Sequence, residues 1–155
     1  MIIDVDLIPM KKKDIPMVLE WMEQEDILRF FGDPLEWLEE MNANVESSDW
    51  IWYYIAHTNE PIGFCQFYDT SKAPQGIWSH EEEATAGIDF FIAYPSMRGI
   101  GKGKDLIVEL LDQVRKTSKF KYVIADIEDN NSASQVFLES LGFQKHKPGL
   151  WRIAL

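Results

Sequence analysis

A glycine-rich turn between an apolar run and an amphipathic helix constrains the fold of this chain most. The turn spans residues 98–103 (RGIGKG), after the strand-like run Gly87–Tyr94 and before a helix over Gly103–Lys116. A second apolar run, Tyr122–Ile127, follows that helix. Two strands that are joined through a helix are expected to be parallel, with a right-handed crossover. The sequence therefore predicts a βαβ unit within a sheet that is covered on both faces.

The same turn predicts an anion site. Its glycines at positions 99, 101 and 103 carry no Cβ that would block a ligand, and the free N–H groups of the turn and of the first helical turn converge on one spot. Lys102 and Lys104 lie at a helix N-terminus, where a cation is normally unfavourable and a bound polyphosphate would reverse that penalty. The simpler alternative is a glycine-rich turn with solvated lysines.

Hydrophobic periodicity and capping residues predict the remaining segments. They are a strand over Ile2–Pro9, helices that begin at Asp14 and Asp33, strands over Trp50–His57 and Pro61–Tyr68, a loop over Ser71–Ala84, a helix from Asn131 to Gly142 and a strand over Trp151–Leu155. The predicted fold class is α/β (α+β), with a mixed central sheet and helices on both faces. At 155 residues and with no linker-like stretch, we expect a single domain, 1–155.

The charge of the chain bears on its partners. The formal net charge is −11 at pH 7, which argues against nucleic acid because phosphate backbones need basic faces. An acidic cleft would instead concentrate a cationic substrate, although such a charge also serves solubility alone. No signal pattern and no run of membrane-spanning length is present, so we expect a cytoplasmic protein without membrane contact.

Cysteine and histidine usage narrows the chemistry further. Cys65 is the single cysteine, which excludes an internal disulfide and suits a reducing compartment. His57, His80 and His146 lie in separate predicted elements without metal-ligand spacing. We therefore expect no metal site.

Asp89 is an unusual residue in the middle of an apolar strand. Alternation puts Ile88 and Phe90 on one face of that strand and Asp89 with Phe91 on the other. Burial of a carboxyl raises its pKa, which suits a general base or an ammonium site. Asp126 lies near the end of the neighbouring parallel strand, so the two acids are predicted to grip and deprotonate an amine. The alternative is structural: Asp89 bonded to nearby backbone and Asp126 capping the approach to a helix.

Two motifs together resemble the GNAT superfamily of acyl-CoA-dependent N-acyltransferases. They are Arg98-x-x-Gly101-x-Gly103 at the turn, and Asn131 followed by Leu141-Gly142-Phe143 around the last helix. The resemblance implies a GNAT-like fold over the whole chain, with acetyl-CoA as co-substrate and a pantetheine arm between two splayed parallel strands. It implies coenzyme A contacts at Ile92, Arg98, Gly99, Ile100, Gly101, Lys102, Gly103, Lys104 and Asn131, where Ile92 would polarise the thioester carbonyl and Asn131 would also serve as an N-cap.

One position departs from the GNAT pattern. Many members have a tyrosine five residues before the phenylalanine of the Gly-Phe pair, where it protonates the departing thiolate; here that position is Leu138. The acid role is then vacant, filled by another group such as Tyr94 or water, or unnecessary because a thiolate is a tolerable leaving group near neutral pH.

The segment from Gly76 to Asp89 is similar to the aminoglycoside 6'-N-acetyltransferases, which have a Trp/Glu-rich loop before a Gly-Ile-Asp strand. The resemblance implies a small cationic amine as substrate, bound by Trp78, Glu82, Glu83, Asp89 and Asp126. Solvated glutamates and core aromatic residues are the alternatives for the loop. Other acceptors stay open, namely a protein N-terminus, a polyamine or a siderophore amine, as do a non-catalytic acyl-CoA-binding module and a homodimer.

Overall fold

The computed structural model describes residues 4–98, 101–128 and 130–155. Within these residues seven strands form one mixed sheet, in the order β1-β2-β3-β4-β5-β7-β6. The strands are β1 Asp6–Pro9, β2 Ile51–His57, β3 Pro61–Asp69, β4 Thr85–Ile92, β5 Tyr122–Asp126, β6 Gln144–Lys147 and β7 Leu150–Ala154. The helices are α1 Ile15–Met22, α2 Glu25–Phe31, α3 Pro34–Asn44, α4 Lys102–Lys116 and α5 Ser132–Ser140. No helix among the described residues is long and apolar enough to cross a bilayer.

The parallel pair β4 and β5 lies near the middle of this sheet, and α4 connects the two strands as predicted. Their pairing is short: it runs from Thr85 opposite Tyr122 to Gly87 opposite Ile124. Strand β4 continues to Ile92, and no described strand pairs with it on that side beyond Gly87, while its other edge remains paired with β3. The two strands therefore separate, and a cleft opens between their carboxyl ends.

Apolar residues cover both faces of the sheet. Helix α4 packs an amphipathic face on one side, and its buried residues are Leu106, Ile107, Leu110, Leu111 and Val114. Residues of α1, α2 and α3 form a second core on the opposite face, together with Phe64 and Phe91 of the sheet. The alternation predicted for β4 is confirmed, because Ile88 belongs to the α4 core and Phe91 to the other core.

The structure corrects the predicted elements at three places. A separate helix, α2, precedes α3, where we predicted only two helices before the first hairpin; it ends at Gly32, whose φ of +78° closes the turn. Strand β6 was not predicted, because its sequence Gln144–Lys147 has no apolar residue to give a period. Strand β4 ends two residues earlier than expected, since Pro95 opens a short 3-10 turn. Ile2 and Ile3 of the first predicted strand lie outside the described residues.

Gly87 is required for the packing beside the separation point. A Cβ built on Gly87 would lie 2.3 Å from the ring of Tyr68, which crosses over it from β3. Tyr68 is buried and also contacts Trp78, with ring centroids 5.8 Å apart. The missing side chain at position 87 thus lets an aromatic residue lie flat at the base of the cleft.

Gly87→Ala should lower the free energy of unfolding by about 1–3 kcal/mol, because the new methyl group must displace the buried Tyr68 ring. Urea unfolding followed by far-UV circular dichroism measures the difference. Gly103→Ala is the matched control for stability: a Cβ there meets only the ring of Phe137 at 3.8 Å, so no loss is expected. Equal stability of Gly87→Ala and the wild type would contradict the packing described here.

Candidate active site

A cleft of about 1200 Å³ occupies the space between the separated ends of β4 and β5. Two groups of predicted site residues line it. The first group, which we call the glycine-turn end, comprises Arg98, Gly101, Gly103, Lys104 and Asn131; the second, which we call the acid end, comprises Trp78, Asp89 and Asp126. The glycine-rich turn and the two acids are therefore parts of one concave site.

The turn presents an uncapped helix N-terminus to this cleft. Gly101 has a φ of +89°, which favours glycine, and it is the N-cap of α4 without any side-chain capping bond. Gly103 and Lys104 line the cleft, whereas Lys102 lies 3.9 Å from Asp105 and is not part of the lining. Gly99 and Ile100 lie outside the described residues. The N–H groups of a helix N-terminus and a lysine at one spot are suited to a diphosphate.

Arg98 lines the cleft, but its side chain is held by protein groups. Its Nε donates to the carbonyl oxygen of Ile92 at 3.0 Å, and its guanidinium forms an ion pair with Asp26 of α2. Nη2 lies 3.5 Å from the Gln24 side-chain oxygen. The motif arginine therefore joins the end of β4 to α2, which is a role that the motif alone did not reveal.

The unpaired edge of β4 supplies backbone donors. The Ala93 N–H donates to Ile62 of β3 at 2.7 Å, and N–H groups alternate in direction along an antiparallel strand. The Ile92 N–H therefore points away from β3, toward the gap between β4 and β5. Asn131 caps α5 by accepting from the Ser134 N–H at 3.2 Å, and both residues line the cleft.

The two predicted acids meet in the cleft, and Asp89 is the more perturbed. Burial, reinforced by the nearby negative charge of Asp126, raises the pKa of Asp89 to about 8; the hydrogen bond from Gln66 counteracts this, and Glu40 adds to the rise. Burial also raises the pKa of Asp126. Asp89 Oδ2 accepts from Gln66 Nε2 at 2.8 Å, so its partner is a side chain of β3.

Three further cleft residues escaped the sequence analysis: Glu40, Gln66 and Tyr68. Burial raises the pKa of Glu40, an effect that the adjacent Tyr53 hydroxyl opposes. Burial and the charges of Asp89, Asp126 and Glu40 raise the pKa of Tyr68. These effects indicate that carboxylates from α3, β4 and β5 face one another across a small space.

The charges of the lining are divided by position. The acidic lining residues are Asp26, Glu36, Glu40, Asp89, Asp126 and Glu128, and the basic ones are Arg98 and Lys104. Arg98 and Lys104 both belong to the glycine-turn end. None of the ion pairs among the described residues involves Glu40, Asp89 or Asp126. The acid end thus carries negative charge that a cationic ligand would balance.

The Trp/Glu-rich loop contributes only part of what we predicted for it. Trp78 lines the cleft, and its Nε1 donates to the carbonyl oxygen of Pro74 at 2.9 Å. Glu82 and Glu83 do not line the cleft; Glu82 lies 3.4 Å from Arg152 of β7. Glu81, which begins this glutamate run, has a buried carboxylate within 2.6 Å of Lys147. Glu81 and Glu82 therefore connect the loop to the β6–β7 hairpin.

A sequence model described as "Acetyltransferase (GNAT) domain" matches residues 11–149. That span covers most of the chain and includes both the glycine-rich turn and the capped α5. The chain belongs to the GNAT acetyltransferase family. Comparison by sequence with proteins of curated function gives no match.

Solved structures agree with the GNAT fold. Aminoglycoside 6'-acetyltransferase AAC(6')-Ib in complex with paromomycin and acetyl-CoA is similar to this chain at a TM-score of 0.86 and 24% identity, over 97% of this chain and 93% of that one. The same enzyme with coenzyme A and kanamycin has a TM-score of 0.86 at 23% identity, over 97% and 94%. An aminoglycoside N(6')-acetyltransferase from Legionella pneumophila has a TM-score of 0.75 at 20% identity, over 99% of this chain and 94% of that one. At these identities the likeness establishes the fold alone.

Leu138 is a buried cleft residue in this GNAT chain. Its side chain is 1% exposed and packs in the core beneath α4 and α5, so no proton donor stands at the position where many GNAT proteins have tyrosine. Tyr94, one of the suggested substitutes, lines a separate hollow with Met97 rather than the cleft. Tyr68 is the one tyrosine among the described residues that line the cleft, and it lies at the acid end.

Asp89→Asn should change the pH dependence of stability. The pKa of Asp89 is about 8 in the folded protein against an ordinary value of 3.8, so between about pH 4 and 8 the folded chain retains a proton that the unfolded chain has lost. This carboxyl therefore lowers stability progressively as the pH rises through that window. The asparagine of the variant has no such proton to lose, so the free energy of unfolding of the variant should not fall in this way. Its difference from the wild type should grow by about 1–3 kcal/mol from pH 4.5 to 8, since one pKa unit is worth about 1.4 kcal/mol.

Urea unfolding at several pH values measures this difference. Asp112→Asn makes the same chemical change on the exposed side of α4 and should keep the wild-type pH dependence. A pH-independent difference between Asp89→Asn and the wild type would contradict the assigned burial.

Proposed function

We propose that this GNAT protein transfers an acetyl group from acetyl-CoA to a primary amine of a small cationic acceptor, resembling the 6'-amine of an aminoglycoside. The transfer is direct, within a ternary complex and without a covalent enzyme intermediate. The observation that carries the proposal is the cleft that joins the α4 N-terminus to a pair of carboxyls, Asp89 and Asp126, whose pKa values are both raised. We expect the reaction to take place in the cytoplasm, and a homodimer remains compatible with it.

The glycine-turn end is suited to coenzyme A. The N–H groups at the start of α4 and the Lys104 ammonium would hold the diphosphate, because backbone amides and a cation converge there. Asn131 and the unpaired edge of β4 would hold the pantetheine arm. Bound acetyl-CoA supplies an activated thioester; the Ile92 N–H, which points into the gap, would stabilise charge on its carbonyl oxygen.

Asp89 is proposed as the base at the acid end. An alkylammonium has a pKa near that of lysine, about 10.4, and must lose a proton before its nitrogen can attack. A carboxylate with a pKa of about 8 is a far better proton acceptor than an ordinary aspartate, and Asp126 would hold the ammonium beside it. The negative lining concentrates such a cation in the cleft.

The leaving thiolate requires no acid from α5 in this proposal. An ordinary thiol has a pKa of about 8.5, so a thiolate departs readily near neutral pH and takes a proton from water. Leu138 is the observation that favours the second candidate, a non-catalytic acyl-CoA-binding module. That module would bind acetyl-CoA but release no thiol with any amine.

A thiol-release assay with an amine panel tests these alternatives. The panel contains aminoglycosides, linear polyamines, a siderophore precursor amine and peptides with a free N-terminus. Release with aminoglycosides supports the proposal, release with another class alone reassigns the acceptor, and release with none supports the binding module. Calorimetry with acetyl-CoA establishes binding in each case.

Asp89→Asn should lower kcat by about 10²–10⁴-fold, since that is the usual contribution of a general base. The Kd for acetyl-CoA should stay within about twofold, because the diphosphate site lies at the other end of the cleft. Steady-state kinetics and calorimetry measure the two quantities, with Asp112→Asn as the charge-matched control outside the cleft. Unchanged turnover in Asp89→Asn would remove Asp89 from catalysis.

Lys104→Met should weaken acetyl-CoA binding by about tenfold, because a charge-assisted contact to phosphate contributes about 1.5–3 kcal/mol before the rest of the site compensates. The loss should shrink as salt is added. Lys145→Met removes an exposed cation from β6 and should leave the Kd unchanged. Equal affinities of Lys104→Met and the wild type would place the diphosphate elsewhere.

A further inference from the structure

Gln66 occupies the centre of the acid end without a role in the reaction described above. It lies on β3 opposite Asp89 of β4 and opposite Tyr53 of β2. Its residue is only 3% exposed, yet it contributes to the lining of the cleft. A buried glutamine in an apolar sheet is retained at a cost unless both ends of its amide are satisfied.

The two ends of this amide have different surroundings. Nε2 donates to Asp89 Oδ2 at 2.8 Å. Oε1 is buried and has no hydrogen-bond partner among the described residues. Because the amide nitrogen is the end that faces the carboxyl, the amide oxygen, which can only accept, is left for another donor. Since Gln66 lines the cleft, a ligand there with an N–H donor would satisfy it.

We infer that Gln66 positions Asp89 through Nε2 and receives the acceptor's primary ammonium group on Oε1. This inference rests on the proposed function and adds a recognition group to it. A primary ammonium has three N–H donors, which match the amide oxygen of Gln66 and the carboxylates of Asp89 and Asp126. The amine nitrogen would then be held by three oxygens, in one orientation relative to the base.

The groups around Asp89 give the inference a second, separable consequence. Asp126 of β5, Glu40 of α3 and Tyr68 of β3 surround the acid end, and burial together with the charges of Asp126 and Glu40 raises the pKa of Asp89. The Gln66 hydrogen bond acts in the opposite direction. Loss of this donor should therefore raise the pKa of Asp89 further and move the acid limb of the kcat/KM profile to higher pH.

Gln66→Met is the first test, since it keeps the shape of the side chain and removes both polar atoms. The midpoint of the acid limb of the kcat/KM profile should move to higher pH by about one unit, and the acceptor KM should rise about tenfold. The Kd for acetyl-CoA should not change. Thr85→Val is the matched control: Thr85 is 1% exposed, its hydroxyl also lacks a partner among the described residues, and it lies on β4 outside the cleft lining. It should leave both the profile and the KM unchanged.

Gln66→Glu separates the two contacts. It keeps an acceptor oxygen but removes the donor to Asp89. The acid limb of the kcat/KM profile should therefore move to higher pH while the acceptor KM stays unchanged. A folded Gln66→Met protein with the wild-type limb and KM would overturn the inference. A raised KM in both variants with an unmoved limb would also overturn it, because that pattern indicates packing alone.

A measurement on the wild-type protein tests the inference even if a variant does not fold or no amine is acetylated. The side-chain N–H signals of Gln66 in ¹⁵N-labelled protein should titrate with Asp89 near pH 8 and move again when an amine is added. Signals that respond to neither would refute the inference. Absence of thiol release with every amine would refute the proposed function, while the pH titration would still decide whether Gln66 holds Asp89.

Discussion

The short parallel pairing of β4 with β5 is the constraint on which the site depends. Only three residue pairs, ending at Gly87 and Ile124, join the two strands before they separate. Because β4 stays paired with β3, the separation exposes one edge of a strand that remains rigid. The same event therefore creates the cleft, frees backbone donors along β4 and brings Asp89 and Asp126 to its wall.

The cleft carries positive potential in one part and negative potential in another, and different kinds of group supply the two. At the glycine-rich turn, positive potential comes from backbone N–H groups and Lys104, which need no partner inside the protein. At the acid end, negative potential comes from carboxyls; burial raises the pKa values of Asp89 and Asp126, and the charge of Asp126 adds to the rise at Asp89. In the proposed reaction, this negative charge would make a cation favourable there, and the raised pKa of Asp89, caused first by burial, would let it take the proton.

The features that follow from local sequence rules were predictable. Glycine spacing and period-two alternation gave the βαβ unit, the turn and the position of Asp89, and the helical cap at Asn131 is confirmed. Features that depend on packing between distant elements were not. Glu40 follows Glu36 and Glu39 on a helix and resembles a solvated face until α3 is packed over Tyr53. Gln66 has no periodic signal at all; its role depends on a register that pairs it with Asp89.

Arg98 illustrates how one residue of a local motif acquires a long-range role. The resemblance implied a contact with coenzyme A, and position 98 does line the cleft. Its guanidinium, however, joins the Ile92 carbonyl to Asp26 on α2, while Gln24 of the preceding turn donates to the Ala93 carbonyl at 2.7 Å. The end of β4 is thereby fixed to the helix that forms one wall of the acid end. In the proposed reaction, coenzyme A and the acceptor would both bind in the cleft along this braced strand, so the distance between thioester and amine would be set by the protein rather than by either ligand.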